Sequence, residues 1–228
     1  MNHTDYKSER ERVWKEILSD LEVDGSKVID VGIGESTEKL AEAGAQVIGV
    51  DSEIEKLKEC EVDVPLVKCD IVNFPFEKRI ADLTLFNFTL HEINPHQHSE
   101  AIRMASLISP RLAVIEPSPE GGPLYQRYKK LQQEIMESIG KYEEYRSLSY
   151  WKDLVRKEGF EITTAKTIKP QTVIPPSILE DMKQDTIETL KEKGVKKEYA
   201  QDMKEILEDA KEQGMRWSPR LVVIGEHP

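Results

Sequence analysis

Residues 28–51 constrain the fold of this chain more than any other segment. Their sequence, VIDVGIGESTEKLAEAGAQVIGVD, has the pattern of a buried strand, a glycine turn, a short helix, a second buried strand and a final acid. A strand that enters a helix through Gly32 and Gly34 lets backbone amides approach a ligand that no Cβ atom obstructs. Asp51, at the end of the second strand, is placed to bind the two hydroxyls of a ribose. The segment therefore predicts a nucleoside-binding βαβ unit.

Hydrophobic patterns in the rest of the chain continue this alternation. Strands are predicted at 28–31, 46–50, 65–69, 81–88, 112–115, 160–168 and 221–224. Helices are predicted at 5–21, 38–43, 122–139 and 150–157, with others beginning near residues 52 and 94. Strict strand–helix alternation up to residue 117 predicts a parallel sheet with helices on both faces.

The chain is expected to form a single domain over residues 1–228. Residues 22–117 would be the cofactor-binding core, and 120–148 and 170–219 would be helical cap or insertion segments. Within the second of these, an αα-hairpin begins near Ser177, turns at Gly194 and precedes the last strand. The sequence leaves two roles open for this hairpin, a lid over the substrate or the interface of a homodimer.

The composition excludes several classes of partner. The 228 residues carry a formal charge of −11, which argues against nucleic acid as a ligand because phosphate backbones are bound by basic surfaces. Only two cysteines are present, too few for a disulfide framework. The N-terminal sequence has no apolar signal core, and no segment is long and apolar enough to span a membrane. These features predict a cytoplasmic protein without a membrane partner.

The glycine turn distinguishes between two classes of nucleotide ligand. Dinucleotide sites favour the pattern G-x-G-x-x-G, but residues 32–37 of this chain lack its third glycine. Glu35 would also place a carboxylate beside a pyrophosphate, whereas a cationic sulfonium tolerates that charge. The turn therefore favours S-adenosylmethionine, and an NAD(P)- or FAD-dependent oxidoreductase remains the alternative.

Markers at successive strand ends now give a family resemblance. From about residue 28 to 117, and again at the last strands, the sequence resembles the class I S-adenosylmethionine-dependent methyltransferases of the small-molecule type. Residues 30–34 match the family's first motif, and Asp51 matches its ribose-binding acid. Asp70, with the amide of Ile71, matches the position that recognises adenine, and Asn87 lies in the fourth motif near the methionine end of the cofactor. The resemblance implies a cofactor site formed by Asp30, Gly32, Ile33, Gly34, Asp51, Ser52, Asp70, Ile71 and Asn87.

The resemblance also implies the fold and the reaction. The fold would be α/β, a doubly wound, mostly parallel, seven-stranded Rossmann-like sheet with an antiparallel last strand, an N-terminal helix and the αα-hairpin as a C-terminal insertion. The reaction would be in-line methyl transfer to a small-molecule acceptor, for which most of the protein's contribution is alignment. The sequence is also compatible with a non-catalytic S-adenosylmethionine-binding protein and with a protein-methylating enzyme.

Four residues are candidates for the acceptor side of the site. His91 follows the fourth predicted strand and is the candidate catalytic base, although it could instead pack against the next helix. Glu116 could orient the substrate, or it could be a strand-end carboxylate bonded to loop amides. Tyr125 and Tyr150 could form a wall of the substrate pocket. No metal site is expected, because His96 and His98 are predicted on a surface helix without a matching carboxylate cluster.

Overall fold

The fold is a single seven-stranded sheet flanked by helices, seen in a computed structural model that describes residues 3–74, 79–192 and 195–228. The strands are β1 (Lys27–Val31), β2 (Gln46–Asp51), β3 (Leu66–Lys68), β4 (Leu83–Asn87), β5 (Arg111–Pro117), β6 (Glu161–Ile168) and β7 (Arg220–Glu226). The α-helices are α1 (His3–Leu21), α2 (Glu35–Glu42), α3 (Ile54–Glu59), α4 (His98–Ile108), α5 (Pro123–Ser138), α6 (Leu148–Lys157), α7 (Pro176–Glu192) and α8 (Lys197–Gln213). The predicted turn residue Gly194 lies outside the described residues.

The strand order is β3-β2-β1-β4-β5-β7-β6. Strands β1 to β5 pair in parallel, whereas β7 runs antiparallel to both β5 and β6. The doubly wound α/β fold with an antiparallel last strand is therefore confirmed. In this topology the carboxyl ends of β1, β2 and β4 lie at one edge of the sheet, where open parallel sheets bind ligands.

Two hydrophobic cores cover the two faces of the sheet. On one face α1 and α2 pack against β1, β4, β5 and β7, and Trp14 is buried in this layer. On the other face α4 and α6 pack against the sheet, with the predicted stripe Ala101, Ile102, Ala105 and Ile108 fully buried. Because both faces are covered, the central strands are mostly apolar.

A third cluster joins α5 to the α7–α8 hairpin. Its buried members include Leu131 on α5, Leu179 on α7 and Leu207 on α8, and Tyr128 and Trp217 pack against them. The hairpin thus uses its apolar side within the same protomer, as a cap that rests on α5. Within the described ranges, no helix is both long and apolar enough to cross a membrane.

Helix α2 starts at Glu35, three residues earlier than the sequence predicts. Ser36 and Thr37 are polar and lie outside the predicted helix, but both side chains are fully buried and donate hydrogen bonds to Asp30 on β1. This tertiary contact compensates for the weak helix propensity of the two residues.

Candidate active site

The turn between β1 and α2 is closed by Gly32, whose φ of +81° is in the left-handed region. A Cβ atom at this position would lie 2.2 Å from Thr89 Oγ1. That hydroxyl is fixed, because it donates a hydrogen bond of 2.7 Å to the carbonyl of Val31. Gly34 differs, since a Cβ built there would meet no atom within 4 Å. Gly32 is thus required by the protein's own backbone, whereas Gly34 keeps space open beside the chain.

Asp30 is completely buried beneath this turn and does not line the cavity at the carboxyl edge of the sheet. Its Oδ2 accepts hydrogen bonds from Ser36 (3.0 Å) and Thr37 (2.7 Å), and Oδ1 has no partner among the described residues. Burial raises the pKa of Asp30 to about 7, although the two hydroxyls oppose the shift. Its geometry is that of a residue that shapes the glycine turn from below, not one that contacts a ligand.

The predicted cofactor residues converge on one cavity of about 620 Å³ at the carboxyl edge of the sheet. Eight of the nine residues predicted for the cofactor line it, and Asp30 alone does not; the eight are Gly32, Ile33, Gly34, Asp51, Ser52, Asp70, Ile71 and Asn87. A volume of this size is within the range of small-molecule and cofactor sites.

Polar groups from three strand ends face this cavity. Asp51 ends β2, and its Oδ1 accepts a hydrogen bond of 2.8 Å from the amide of Glu53. Asp70 follows β3 and accepts a hydrogen bond from the amide of Val72 at 3.1 Å, which fixes its carboxylate at the start of a 3₁₀ turn. Asn87 ends β4, and its buried Oδ1 has no partner among the described residues. A buried acceptor without a partner is costly, so this atom is suited to a ligand donor.

Phe88 stands at the boundary of this cavity in an unusual backbone conformation. Its φ is +52°, which is rare for a bulky residue. The turn is held from below by Glu116 Oε1, which accepts hydrogen bonds from the amides of Thr89 (2.9 Å) and Leu90 (2.7 Å). As a result the Phe88 ring is held at the surface, where it is 38% exposed. Backbone strain of this kind often occurs at functional sites.

His91 is buried and lies between two carboxylates. Its Nδ1 is 2.6 Å from Glu116 Oε2, its Nε2 is 3.8 Å from Glu143 Oε1, and its ring stacks on Tyr145 with a centroid distance of 5.4 Å. Burial alone would lower the pKa of His91, but the two carboxylates raise it to about 9. A raised pKa favours the protonated ring at neutral pH, and the role of His91 as a catalytic base stays a prediction.

Glu143 lines the first cavity and also a second cavity that adjoins it. It is buried, and it accepts a hydrogen bond from the hydroxyl of Tyr145. Burial raises the pKa of Glu143, and the charge of His91 opposes the shift. Ligand atoms of His91, Glu92 and Glu143 come within 4.8 Å of one another.

A second cavity of about 420 Å³ adjoins the first and shares Glu35, Phe88 and Glu143 with it. Its walls come from α1, α5, the segment after β6 and the residues before β7. They are rich in aromatic side chains, namely Tyr6, Phe88, Tyr125, Tyr128, Tyr145 and Trp217. The hydroxyl of Tyr6 accepts a hydrogen bond of 2.8 Å from Trp217 Nε1, which joins α1 to the end of the cap.

The candidates for the acceptor side have different positions. Tyr125 lines the second cavity and is buried there. Glu116 lies beneath the site and takes the role of a strand-end carboxylate bonded to loop amides, so it does not contact the cavity directly. Tyr150 lines neither of the two cavities; its hydroxyl is 2.9 Å from Nδ1 of His98. His98 is expected near the surface but is fully buried. Its Nε2 forms a hydrogen bond of 3.1 Å with the carbonyl of Ile93.

Sequence reasoning missed Phe88, Glu143, Tyr145 and Arg220 as cavity residues. Phe88 could have been found, because it directly follows a strand that ends at the ligand-binding edge. Glu143 and Tyr145 lie in an irregular segment between α5 and α6, which has no hydrophobic periodicity. Arg220 gave no signal, since its contacts are with residues far away in sequence.

Residues 29–106 match a protein family that is described as a methyltransferase domain. The match identifies a methyltransferase domain in this part of the chain. A search of curated protein sequences gave no match. The family match agrees with the family resemblance predicted from the strand-end markers, and that resemblance supports S-adenosylmethionine as the cofactor.

Solved structures agree with the fold of this chain over almost its whole length. A candidate methyltransferase from Bacillus halodurans C-125 has a TM-score of 0.66 and 15% identity, covering 94% of this chain and 98% of that one. An S-adenosylmethionine-dependent methyltransferase from Archaeoglobus fulgidus has a TM-score of 0.58 and 16% identity, covering 99% and 100%. The 1,6-didemethyltoxoflavin-N1-methyltransferase of Burkholderia thailandensis, solved with that compound and S-adenosylhomocysteine, has a TM-score of 0.53 and 14% identity, covering 94% and 76%.

Proposed function

We propose that this methyltransferase transfers the methyl group of S-adenosylmethionine to a small-molecule acceptor bound in the second cavity. The observation that carries the proposal is the contact between the two cavities, which share Glu35, Phe88 and Glu143. One cavity is lined by polar strand ends and the other by aromatic rings, so two chemically different molecules would meet at Phe88.

The residues of the first cavity fit the cofactor. Gly34 leaves open space where a side chain would otherwise project, and the partnerless Oδ1 of Asn87 offers an acceptor for an ammonium group. Asp51 would bind the ribose hydroxyls, and Asp70 with the amide of Ile71 would recognise adenine. When bound, S-adenosylmethionine supplies a methyl group on a sulfonium, which is an excellent leaving group.

The second cavity favours a small acceptor over a macromolecule. It is bounded by α1, α5 and Trp217 at the end of the cap, and its volume of about 420 Å³ is suited to a small organic molecule. The Burkholderia thailandensis methyltransferase with a similar fold has 1,6-didemethyltoxoflavin bound. Planar acceptors would pack well against the aromatic walls formed by Tyr125 and Tyr128.

Glu143 is the group that would accept a proton from the acceptor. It faces the second cavity, and burial raises its pKa toward the working pH, which is where a general base is most effective. His91, protonated and fixed by Glu116, would stabilise the Glu143 carboxylate and limit that shift. Glu143 would therefore act as the base in place of His91, and His91 would be its cationic partner.

The expectations about partners and location also remain proposals. The formal charge of −11 supports an acceptor other than nucleic acid. Cys60 and Cys69 are free thiols, which is consistent with a reducing compartment such as the cytoplasm. The hairpin α7–α8 packs on α5 through its apolar side, which supports its role as a cap more than as a dimer interface.

The cofactor half is tested by calorimetry with S-adenosylhomocysteine. We expect Asp51→Asn to raise its Kd at least tenfold, because the ribose would lose a carboxylate acceptor. The matched control is Asp153→Asn, since the Asp153 side chain is 78% exposed on α6 and does not line either cavity. An equal Kd for wild type and Asp51→Asn would contradict the assigned cofactor site.

The acceptor half is tested by the destination of a labelled methyl group. The protein and labelled S-adenosylmethionine are incubated with a cell extract separated into small molecules, proteins and nucleic acids. We expect label in the small-molecule fraction, and we expect Thr172→Trp, which fills the second cavity, to abolish transfer without changing the Kd for S-adenosylhomocysteine. Label only in proteins or nucleic acids would refute a small-molecule acceptor.

A further inference from the structure

Arg220 lines the second cavity and lies at the start of β7, opposite Pro117 of β5. Its guanidinium carbon is 5.7 Å from the centroid of the Trp14 ring and 5.2 Å from that of Phe88. The two rings hold the flat guanidinium group between α1 and the boundary of the two cavities. Its position is therefore fixed by packing, and the residue lines the second cavity.

The neighbouring charges are already paired with one another. Arg10 binds Glu35 at 2.8 Å, and Arg12 binds Glu9 at 2.8 Å. Glu9 also accepts a hydrogen bond of 2.8 Å from the amide of Gln171. Each carboxylate that faces this part of the cavity thus has a closer cationic partner than Arg220.

The side chain of Arg220 makes no ion pair or hydrogen bond with any other residue in the part of the chain that the structure describes. Burial lowers the pKa of Arg220 and Glu35 opposes the shift, and an arginine remains charged at any physiological pH. A largely desolvated charge without a partner is unfavourable, and the rings compensate only in part. A guanidinium offers five N–H donors in a planar arrangement that matches a carboxylate.

We propose that the acceptor of this methyltransferase carries a carboxylate, or a similar anionic group, and that Arg220 binds it. This inference rests on the proposed function and names its class of substrate. The same Phe88 ring lies 5.2 Å from the guanidinium carbon and has its centroid 6.3 Å from that of His91. The anionic group and the methylated group of the acceptor would therefore lie on either side of one phenyl ring, with the methylated group near Glu143.

The methionine end of the cofactor also has a carboxylate, so the two sources must be separated. Among the described residues, Arg220 lines the second cavity but not the first. Glu35, which stands at the boundary, is already paired with Arg10. These positions favour the acceptor as the source of the anionic group.

The first experiment compares aromatic carboxylates with their own amides on wild-type protein saturated with S-adenosylhomocysteine. A panel of hydroxybenzoates, hydroxyphenylacetates and indole-3-acetate is titrated, each beside its primary amide, and binding is followed by calorimetry. We expect at least one acid to bind at least tenfold more tightly than its amide, with an advantage that falls as salt is raised. The absence of any acid that binds better than its amide would overturn the proposal.

The second experiment assigns the preference to Arg220. We expect Arg220→Met to abolish the advantage of the acid and Arg220→Lys to retain part of it, because lysine keeps the charge but not the planar fork. The matched control is Arg127→Met, since Arg127 pairs with Asp209 on the surface away from both cavities. An acid preference that survives in a folded Arg220→Met, or that vanishes in the control, would refute the assignment.

A third measurement separates the two carboxylates. 5′-Methylthioadenosine has the nucleoside of the cofactor but no carboxylate. If Arg220→Met weakened S-adenosylhomocysteine at least tenfold and left 5′-methylthioadenosine unchanged, Arg220 would bind the cofactor and the proposal would be wrong. If wild-type protein did not bind S-adenosylhomocysteine at all, the assigned cofactor site would fail, which is a different result from the loss of acid preference alone.

Discussion

The two glycines of the β1–α2 turn should respond to alanine substitution in opposite ways. Gly32 has a φ of +81°, and a left-handed conformation costs a residue with a Cβ about 1–2 kcal/mol. The new Cβ would also lie 2.2 Å from Thr89 Oγ1, so the hydroxyl must move and lose its 2.7 Å hydrogen bond to Val31. That bond contributes about 0.5–1.5 kcal/mol, which brings the total for Gly32→Ala to roughly 1.5–3.5 kcal/mol.

Gly34→Ala should leave stability unchanged or slightly higher. Its φ of 170° is extended backbone, and a Cβ there would meet no protein atom within 4 Å. Loss of glycine's freedom in the unfolded chain would even stabilise the fold by about 0.4–1 kcal/mol. If the cofactor passes close to this backbone, however, the methyl group would occupy part of its space. We therefore expect the Kd for S-adenosylhomocysteine to rise at least tenfold without any loss of stability.

Gly25→Ala is the control that separates the two costs at Gly32. Gly25 also has a left-handed φ, +72°, but its Cβ would meet nothing within 4 Å. Its loss of stability should therefore equal the backbone cost alone, and it should not affect binding. Urea unfolding and calorimetry measure both quantities for the three variants. The reasoning would be refuted if Gly34→Ala bound S-adenosylhomocysteine as wild type does, or if Gly32→Ala were no less stable than Gly25→Ala.

Two further predictions concern the buried charges near His91. Because the folded-state pKa of His91 is about 9, against 6.5 for the free side chain, its contribution to stability is complete below pH 6.5 and is lost as the pH rises through 9. The loss of unfolding free energy between pH 6 and pH 9.5 should be about 3 kcal/mol, measured by urea unfolding, and it should be absent in His91→Asn. NMR titration of Glu116→Gln should show a lower pKa for His91. An unshifted titration would contradict the ion pair between His91 and Glu116. Glu143→Gln should lower kcat about 100-fold at an unchanged Kd for S-adenosylhomocysteine, and a wild-type kcat would exclude Glu143 as the base.

The cofactor half could be predicted from the sequence because its residues follow apolar strands directly. Asp51, Asp70 and Asn87 each stand at or just beyond the end of a strand, and parallel strands bring such ends to one edge. No knowledge of side-chain packing is needed for this inference. Asp30 is the exception, since two hydroxyls of α2 bind its carboxylate beneath the turn and it does not line the cavity.

The acceptor half could not be predicted in the same way. The prediction for Tyr150 depended on its residue type and its place in the chain, but the rotation of α6 turns it toward His98 on α4. Arg220 lies beside Phe88 only because β7 inserts next to β5 in the antiparallel direction. Contacts of this kind depend on how the late helices and strands pack, which single-residue patterns do not encode.

This difference has a consequence for specificity. The cofactor cavity is made by β1, β2 and β4, whose ends are fixed by the sheet, whereas most of the acceptor cavity is made by segments that follow β5 or precede β1. Phe88 lines both cavities. Glu116, on the neighbouring strand β5, fixes the turn at Phe88 by accepting hydrogen bonds from the two amides that follow it. Substitutions at Tyr128, Thr172 or Arg220 should therefore alter the acceptor without disturbing cofactor binding. Substitution of Glu116 should affect both, because the strained turn that separates the cavities would lose its support.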